Sequence, residues 1–265
     1  MMLFGKIIVV TGVASGIGQH TAELAAHMGA DVIGIDVVKP SHSIGTFLQG
    51  DISTQAGVDE IVNALPDGID ALCNVAGVSG TGGAALTLAI NFFGLKALSE
   101  GLATKIRTGG SIINVASMAG YGWRENTQRA SVMAKLSGFP EPSKLMEDFA
   151  IPNELGYPIS KEILLVWTML AAHQPMFKSR NIRVNAVSPG PVETPILTQF
   201  RQVLGDQRVN SDVDRVGRAG TPADIAPVIL FLCSDAARWV NGNNIAADGG
   251  LEASVTVEAL GLSKT

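Results

Sequence analysis

Seven short, largely apolar runs, several of them rich in Val and Ile, punctuate the chain, at 7–10, 31–36, 47–51, 71–74, 111–117, 183–188 and 244–247. The stretches between them are longer and several are patterned as helices, for example 17–28 and 58–65. Runs that are apolar at consecutive positions, not at alternate ones, suit strands covered on both faces. Such strands separated by helices fold as a parallel sheet, and right-handed crossovers make it doubly wound. The expected fold is α/β: one Rossmann-like domain over residues 1–265, with seven parallel strands and ligands at their carboxyl ends. No internal repeat, low-complexity tract or long linker divides it.

Composition narrows the function classes. Hydrophobic residues make up 46% and charged residues 16% of the chain, which suits a well-buried core. Nineteen Lys and Arg against 24 Asp and Glu leave a net charge of −5 without a cationic cluster, so no nucleic-acid partner is expected. His20, His27, His42 and His173 have no metal-ligand spacing. Cys73 and Cys233 sit in apolar runs as reduced core residues, and no metal is expected. No apolar run reaches ~18 residues, and the first residues lack a signal-like apolar stretch. A soluble, cytoplasmic protein with no membrane partner is the expectation.

The first strand runs into Thr11-Gly-Val-Ala-Ser-Gly-Ile-Gly18, and a helix follows. Gly12, Gly16 and Gly18 let the backbone turn sharply, approach a pyrophosphate and aim amide N–H groups at it. No Gly-Lys-Ser/Thr follows, which excludes a P-loop. Asp36 ends the second strand 18 residues past Gly18, where a carboxylate can accept both hydrogen bonds of an adenosine ribose diol. It would repel a 2′-phosphate, and Val37 supplies no arginine to bind one, so NAD is expected over NADP. Further along, Tyr157 and Lys161 stand four apart in Gly-Tyr-Pro-Ile-Ser-Lys, on one face of a helix. A free phenol, with pKa ~10, is almost wholly protonated at neutral pH. A neighbouring ammonium lowers that pKa, and the pair is expected to serve as a general acid/base.

One segment breaks the rhythm: 39 residues separate Ser117 from Tyr157. Two helical stretches are expected there, near 127–136 and 143–149, the second starting at Ser143. A connection this long inside a compact domain is usually functional or disordered. The expectation is a helical insertion over 119–155 that roofs the substrate pocket with Met133, Leu136, Phe139, Leu145, Met146 and Phe149. Its rival is an insertion that packs on the sheet edge or builds an interface.

These motifs stand in the order of the short-chain dehydrogenase/reductase family, which the chain resembles along nearly its whole length. Thr11-Gly12, Ser15, Gly16-Ile17-Gly18 looks like that family's cofactor turn. Asp51-Ile52 resembles its adenine-contacting acid and neighbour. Asn74-Val75-Ala76-Gly77 resembles its Asn-Asn-Ala-Gly, with Val75 in place of the second Asn. Pro189-Gly190-Pro191-Val192-Glu193-Thr194 looks like the loop over the nicotinamide, and Asp248-Gly249-Gly250 like the end of the last strand. Asn91, Ser117, Tyr157 and Lys161 fall where the catalytic tetrad would.

The resemblance implies that Tyr157 is the acid/base and that Lys161 lowers its pKa and holds the nicotinamide ribose. It also implies that Ser117 bonds the substrate oxygen and that Asn91 holds a proton-relaying water. A homo-oligomer, dimer or tetramer, is implied too; the insertion would obstruct one association surface and leave a C-terminal one. Only 13 residues separate Gly77 from Asn91, so a helix there is trimmed, and the gap before Tyr157 is long. Both departures resemble the bacterial coniferyl alcohol / 3α-hydroxysteroid dehydrogenase branch. The expected activity is NAD-dependent interconversion of a bulky apolar alcohol and its carbonyl, with aryl-allylic alcohols ahead of 3-hydroxysteroids. The rivals are a dinucleotide-binding regulator or scaffold without turnover, and a dehydratase or epimerase on the same fold. A complete tetrad argues against a pure binder, which has no need of a tuned phenol.

Overall fold

The computed structural model describes residues 3–42 and 44–262, the side chains of 202–204 excepted. Strands β1 Ile7–Thr11, β2 Asp31–Asp36, β3 Thr46–Gln49, β4 Ile69–Asn74, β5 Ile106–Val115, β6 Arg183–Pro189 and β7 Asn244–Ala247 form one sheet. Its order is β3-β2-β1-β4-β5-β6-β7, and every neighbouring pair is parallel. The chain winds outward from β1 in one direction and from β4 in the other, so a crevice opens between the carboxyl ends of those two strands. The α/β, doubly wound expectation therefore holds.

Alternate strand residues feed two separate cores. Val9, Leu72, Ile112 and Ala186 join a layer with Phe92, Leu98, Ile163 and Trp167. Ile8, Val10, Cys73, Ile113 and Val187 join the other, with Ala22, Ala25, Ile229 and Leu230. Burial on both faces is why these strands read as unbroken apolar runs. Cys73 and Cys233 are free and buried, their Sγ atoms 3.4 Å apart.

The helices, in chain order, are α1 Gly16–His27, α2 Gln55–Ala64, α3 Ala84–Leu88, α4 Leu95–Gly101, α5 Thr127–Ala134, α6 Pro142–Asp148, α7 Gly156–Ala171, α8 Pro175–Lys178, α9 Pro195–Leu204, α10 Asp206–Val216, α11 Pro222–Cys233 and α12 Leu251–Ala259. A π-helical turn, Ala89–Gly94, joins α3 directly to α4. The trimmed helix before Asn91 is thus α3, only five residues long. β5 begins five residues earlier than expected and stops short of Ser117. Ser117 is still extended, but its hydroxyl already caps the 3-10 turn Met118–Arg124 by accepting from the N–H of Ala119.

The insertion does contain two helices, α5 and α6. The second starts before Ser143, because the Glu141 carboxylate caps the N–H groups of Ser143 and Lys144 and Pro142 takes the first helical position. Its apolar side chains point into the body. Met133 and Leu145 are buried, and Leu136, Phe139, Met146 and Phe149 pack against the layer that contains Phe92, Phe93 and Trp167. Polar anchors reinforce this. Arg129 Nη2 donates to Glu162 Oε2 at 2.9 Å, and Asn126 Nδ2 donates to Glu162 Oε1 at 2.8 Å. Lys96, itself buried, donates to the carbonyl of Leu136. Among the described residues, no helix is long and apolar enough to cross a membrane. Nor do any three or more His, Cys, Asp and Glu residues gather to hold a metal ion.

Candidate active site

A cavity of about 660 Å³ lies in the crevice at the strand ends. Its size falls within the roughly 300–1,000 Å³ usual for ligand sites. Gly12, Ser15, Gly16, Ile17, Gly18, Asp36, Asp51, Ile52, Ala76, Gly77, Pro189, Gly190, Val192 and Thr194 line it, and so do Ser117, Tyr157 and Lys161. A larger cavity of about 940 Å³, between α11, β7 and α12, contains none of the expected tetrad.

The dinucleotide half is set by close backbone packing. Gly12 has φ 79°, and a Cβ there would stand 2.8 Å from Ala76 Cα. A Cβ on Gly18 would lie 2.1 Å from the carbonyl oxygen of Gly12. Any side chain at either position would push the turn apart, so the glycines leave a bare ridge at the N-terminus of α1. Thr11 Oγ1 accepts from the N–H groups of Val75 and Ala76, each at 3.0 Å, and so stitches the ends of β1 and β4 together. Asp36 accepts from the N–H of Ala14 at 2.9 Å and from that of Val38 at 3.0 Å. These donors fix the carboxylate at the edge of the groove, where a ribose diol would meet it. The bare ridge and the fixed carboxylate fit a dinucleotide.

The chemical half gathers Ser117, Tyr157 and Lys161. The hydroxyl of Ser117 accepts from Ala119 N–H at 3.1 Å, which orients it with its own proton available to the Tyr157 oxygen or to a ligand. Lys161, buried, donates from Nζ to the Val115 carbonyl at 2.8 Å and sits 5.6 Å from the centre of the Tyr157 ring. Burial lowers its pKa to about 8. Burial also pushes Tyr157 up to about 12, against a lowering hydrogen bond from Ser117. This corrects the expectation of a phenol lowered by Lys161. Desolvation of the buried phenol is the larger effect.

Two expected site residues stand behind the cavity wall. Asn91, on the π turn and fully buried, accepts from the N–H of Val78 at 2.8 Å and donates to its carbonyl at 3.0 Å. Its amide also donates to Ser160 Oγ at 3.3 Å. The side chain thus clamps the 77–78 segment. Asn74 donates to Ser99 Oγ and to Asn114 Oδ1, both at 2.9 Å, and braces β4 against β5 and α4. It supports the cavity and does not line it.

Sequence reading missed the closing side. Ile196, Gln199 and Phe200 of α9 line the cavity, and no residue of 119–155 does. The ring of Phe200 meets that of Tyr157 edge-on, with centroids 4.6 Å apart. The available signal was their i, i+3, i+4 spacing immediately after the loop ending at Thr194. Of the six apolar residues expected to form a roof, Met133 and Leu145 are core residues, and Leu136, Phe139, Met146 and Phe149 are half-buried against that core.

Comparison with known proteins follows the same lines. Residues 6–129 match the short chain dehydrogenase family, and residues 143–252 match the family described as enoyl-(acyl carrier protein) reductase. Coniferyl-alcohol dehydrogenase of Pseudomonas sp. is 41% identical over 251 residues, spanning 95% of this chain and 98% of that protein. NAD-dependent glycerol dehydrogenase of Listeria innocua is 30% identical over 271 residues, spanning 92% of this chain and 93% of that protein. Among solved structures, 3-alpha-hydroxysteroid dehydrogenase of Pseudomonas sp., complexed with NADH, has a TM-score of 0.78 at 29% identity. That match covers 98% of this chain and 100% of the other.

Proposed function

Because the chain belongs to the short-chain dehydrogenase family of oxidoreductases, we propose that it is an NAD-dependent dehydrogenase interconverting an aryl-allylic alcohol of the coniferyl type and its carbonyl. The observation that carries this reading is the single cavity in which Ser117, Tyr157 and Lys161 meet Asp36 and the glycine turn. A relative named for coniferyl alcohol, similar over 95% of the chain, supports the substrate class. A relative named NAD-dependent and a neighbour complexed with NADH support the cofactor. The hydroxysteroid name of that neighbour makes 3-hydroxysteroids the second candidate.

In this reading Gly12, Gly16 and Gly18 admit the pyrophosphate and Asp36 holds the adenosine ribose. The bound nicotinamide supplies the hydride acceptor for oxidation and the donor for reduction. The chain handles orientation and the proton. Ser117 donates its proton to the substrate oxygen, and Tyr157 takes the hydroxyl proton in oxidation and returns it in reduction. Lys161 is the cation of the site, and its pKa of about 8 means that the charge fades above that pH. Ile196 and Phe200 offer an apolar wall, where each buried CH₂ of substrate is worth about 0.8 kcal/mol. We assign selection among alcohols to α9 and not to the insertion. The protein is read as a homo-oligomer associating through its C-terminal side, where Val257, Leu260 and Leu262 are exposed.

The test is NADH absorbance with aryl-allylic alcohols, 3-hydroxysteroids and, as controls, glycerol and sugars. Stoichiometric NADH formation, fastest with aryl-allylic alcohols, is expected. Faster turnover of glycerol or sugars would overturn the substrate class, and no turnover of any alcohol would overturn the enzyme. A second measurement addresses the cofactor. The double substitution Asp36→Ala with Val37→Arg removes a repelling carboxylate and adds a phosphate-binding cation. It should move the NADP+/NAD+ ratio of kcat/KM upward by roughly tenfold or more, the size of one charge-assisted hydrogen bond. A parent protein faster with NADP+ would refute the assignment to Asp36.

A further inference from the structure

The closing side of the cavity is tied to the body at few points. The chain leaves the sheet at Pro189, forms α9 and α10, and rejoins the body where Val192 pairs with Gly220. At the far end Arg215 reaches Glu258 at 2.7 Å and Ser254 at 3.4 Å, both on α12. Arg201 bonds within the flap, to Asp206 and Asn210. Among the described residues, one side-chain hydrogen bond joins α9 to the body across the cavity mouth. In it Ser79 Oγ donates to Gln199 Oε1 at 2.7 Å.

The two ends of this bond differ in rigidity. Ser79 is fully buried, and Asn91 holds both polar groups of the preceding Val78. Gln199 is exposed, on a helix ending at Gly205, which has φ 85° and open space around it. Gly205 can therefore turn without a steric penalty, and α9 can swing on it. The next residue, Phe200, rests on Tyr157. At the other end of the flap Thr194 comes within 3.1 Å of where a Gly16 Cβ would be, over the dinucleotide ridge. Opening also leaves no orphaned hydroxyl, since Thr81 Oγ1 stands 3.3 Å from Ser79 Oγ as an alternative partner. The bond is thus strong enough to favour the shut position and replaceable enough to release it.

We propose that Ser79 and Gln199 form a latch, in which Ser79 is a positioning residue that holds α9 shut and so sets how fast the reduced dinucleotide leaves. The second half of the statement rests on the cofactor reading above. In many enzymes lid opening or product release, not chemistry, limits turnover. Losing one neutral hydrogen bond corresponds to about a 2- to 12-fold change in the shut-to-open ratio.

Amide hydrogen exchange on the protein without dinucleotide tests the latch by itself. Ser79→Ala and Gln199→Ala should each speed exchange over 196–204 by about 2- to 12-fold while the sheet amides keep their rates. Stopped-flow displacement of NADH should show its release accelerated by a similar factor. The double variant should match the single ones, because all three lack the same bond. Unchanged exchange in both single variants, or effects that sum in the double variant, would overturn the latch. Faster exchange with unchanged NADH release would overturn its control of release. Absence of NADH binding to the parent protein would sink the cofactor reading and, with it, the release claim, while the exchange result on the latch would stand. Gln199 is on the surface, so its variant separates the latch from a folding defect.

Discussion

Tyr157→Phe is expected to lower kcat by about 10²- to 10⁴-fold, the contribution of a positioned general acid/base. The substitution removes one oxygen and keeps the ring, so the edge-on contact with Phe200 at 4.6 Å and the shape of the cavity survive. NADH binding should persist, because the glycine ridge and Asp36 are untouched. A pH profile sharpens the test. Burial holds the phenol near 12 in the free protein, above its ordinary value, so it is a proton donor at neutral pH and becomes an acceptor only as pH rises. Oxidation of the alcohol should therefore accelerate with pH, and the variant should lose that dependence. Lys161 is depressed to about 8, so its charge fades well below the pH at which the phenol itself titrates, and the rise should be flatter above pH 8. A Tyr157→Phe protein that kept its turnover would remove Tyr157 from the chemistry.

Arg129→Ala should cost about 3 kcal/mol of stability, read from urea or thermal unfolding. Glu162 is 5% exposed, and its two carboxylate oxygens are held by Arg129 at 2.9 Å and Asn126 at 2.8 Å. Removing the guanidinium leaves a buried carboxylate with a single neutral donor. The range for such a loss is about 3–5 kcal/mol, and the lower end applies because water reaches the Arg129 side chain. Adding Glu162→Gln removes the uncompensated charge and should recover much of the loss. A cost below about 1 kcal/mol would mean that the pair behaves as a solvated surface bridge. The insertion would then be held by its apolar side chains alone.

Much of the fold was legible because burial on both faces writes itself into a strand as consecutive aliphatic residues. β1, Ile7-Ile-Val-Val10 and Thr11, is the clearest of that kind. β5 was clipped because its first residues, Arg107, Thr108 and Gly109, are exposed and carry no apolar signal. The glycine ridge and Asp36 were legible because their demands are local: a tight turn, a close approach, a carboxylate at a strand end. The tetrad positions were legible as residue types, and their geometry was not. Nothing in the spacing of Tyr157 and Lys161 reveals that Val115 competes for the ammonium. Nothing at Asn91 announces that Val78 takes both ends of its amide. Met133 and Phe139 misled for a related reason. An apolar side chain in a long excursion satisfies a ligand roof and a core layer equally well, and only the position of α4 and α7 beneath it decides between them.

The helix that carries Asn91 keeps count of its residues. Its π turn, Ala89–Gly94, inserts one position beyond ordinary α winding. One residue corresponds to about 100° of rotation. The two flanking segments thereby serve different neighbours: α3 lies against the start of α7, and α4 turns Leu98 toward the sheet. At the junction Gly94 presses so close to the loop beyond β3 that a Cβ would lie 1.9 Å from the carbonyl oxygen of Ile52, a residue of the groove. The turn works as a phase adjuster between a half keyed to the reacting groups and a half keyed to the scaffold. Exchange of one side chain here disturbs a contact, whereas loss of one residue would put the two halves out of phase.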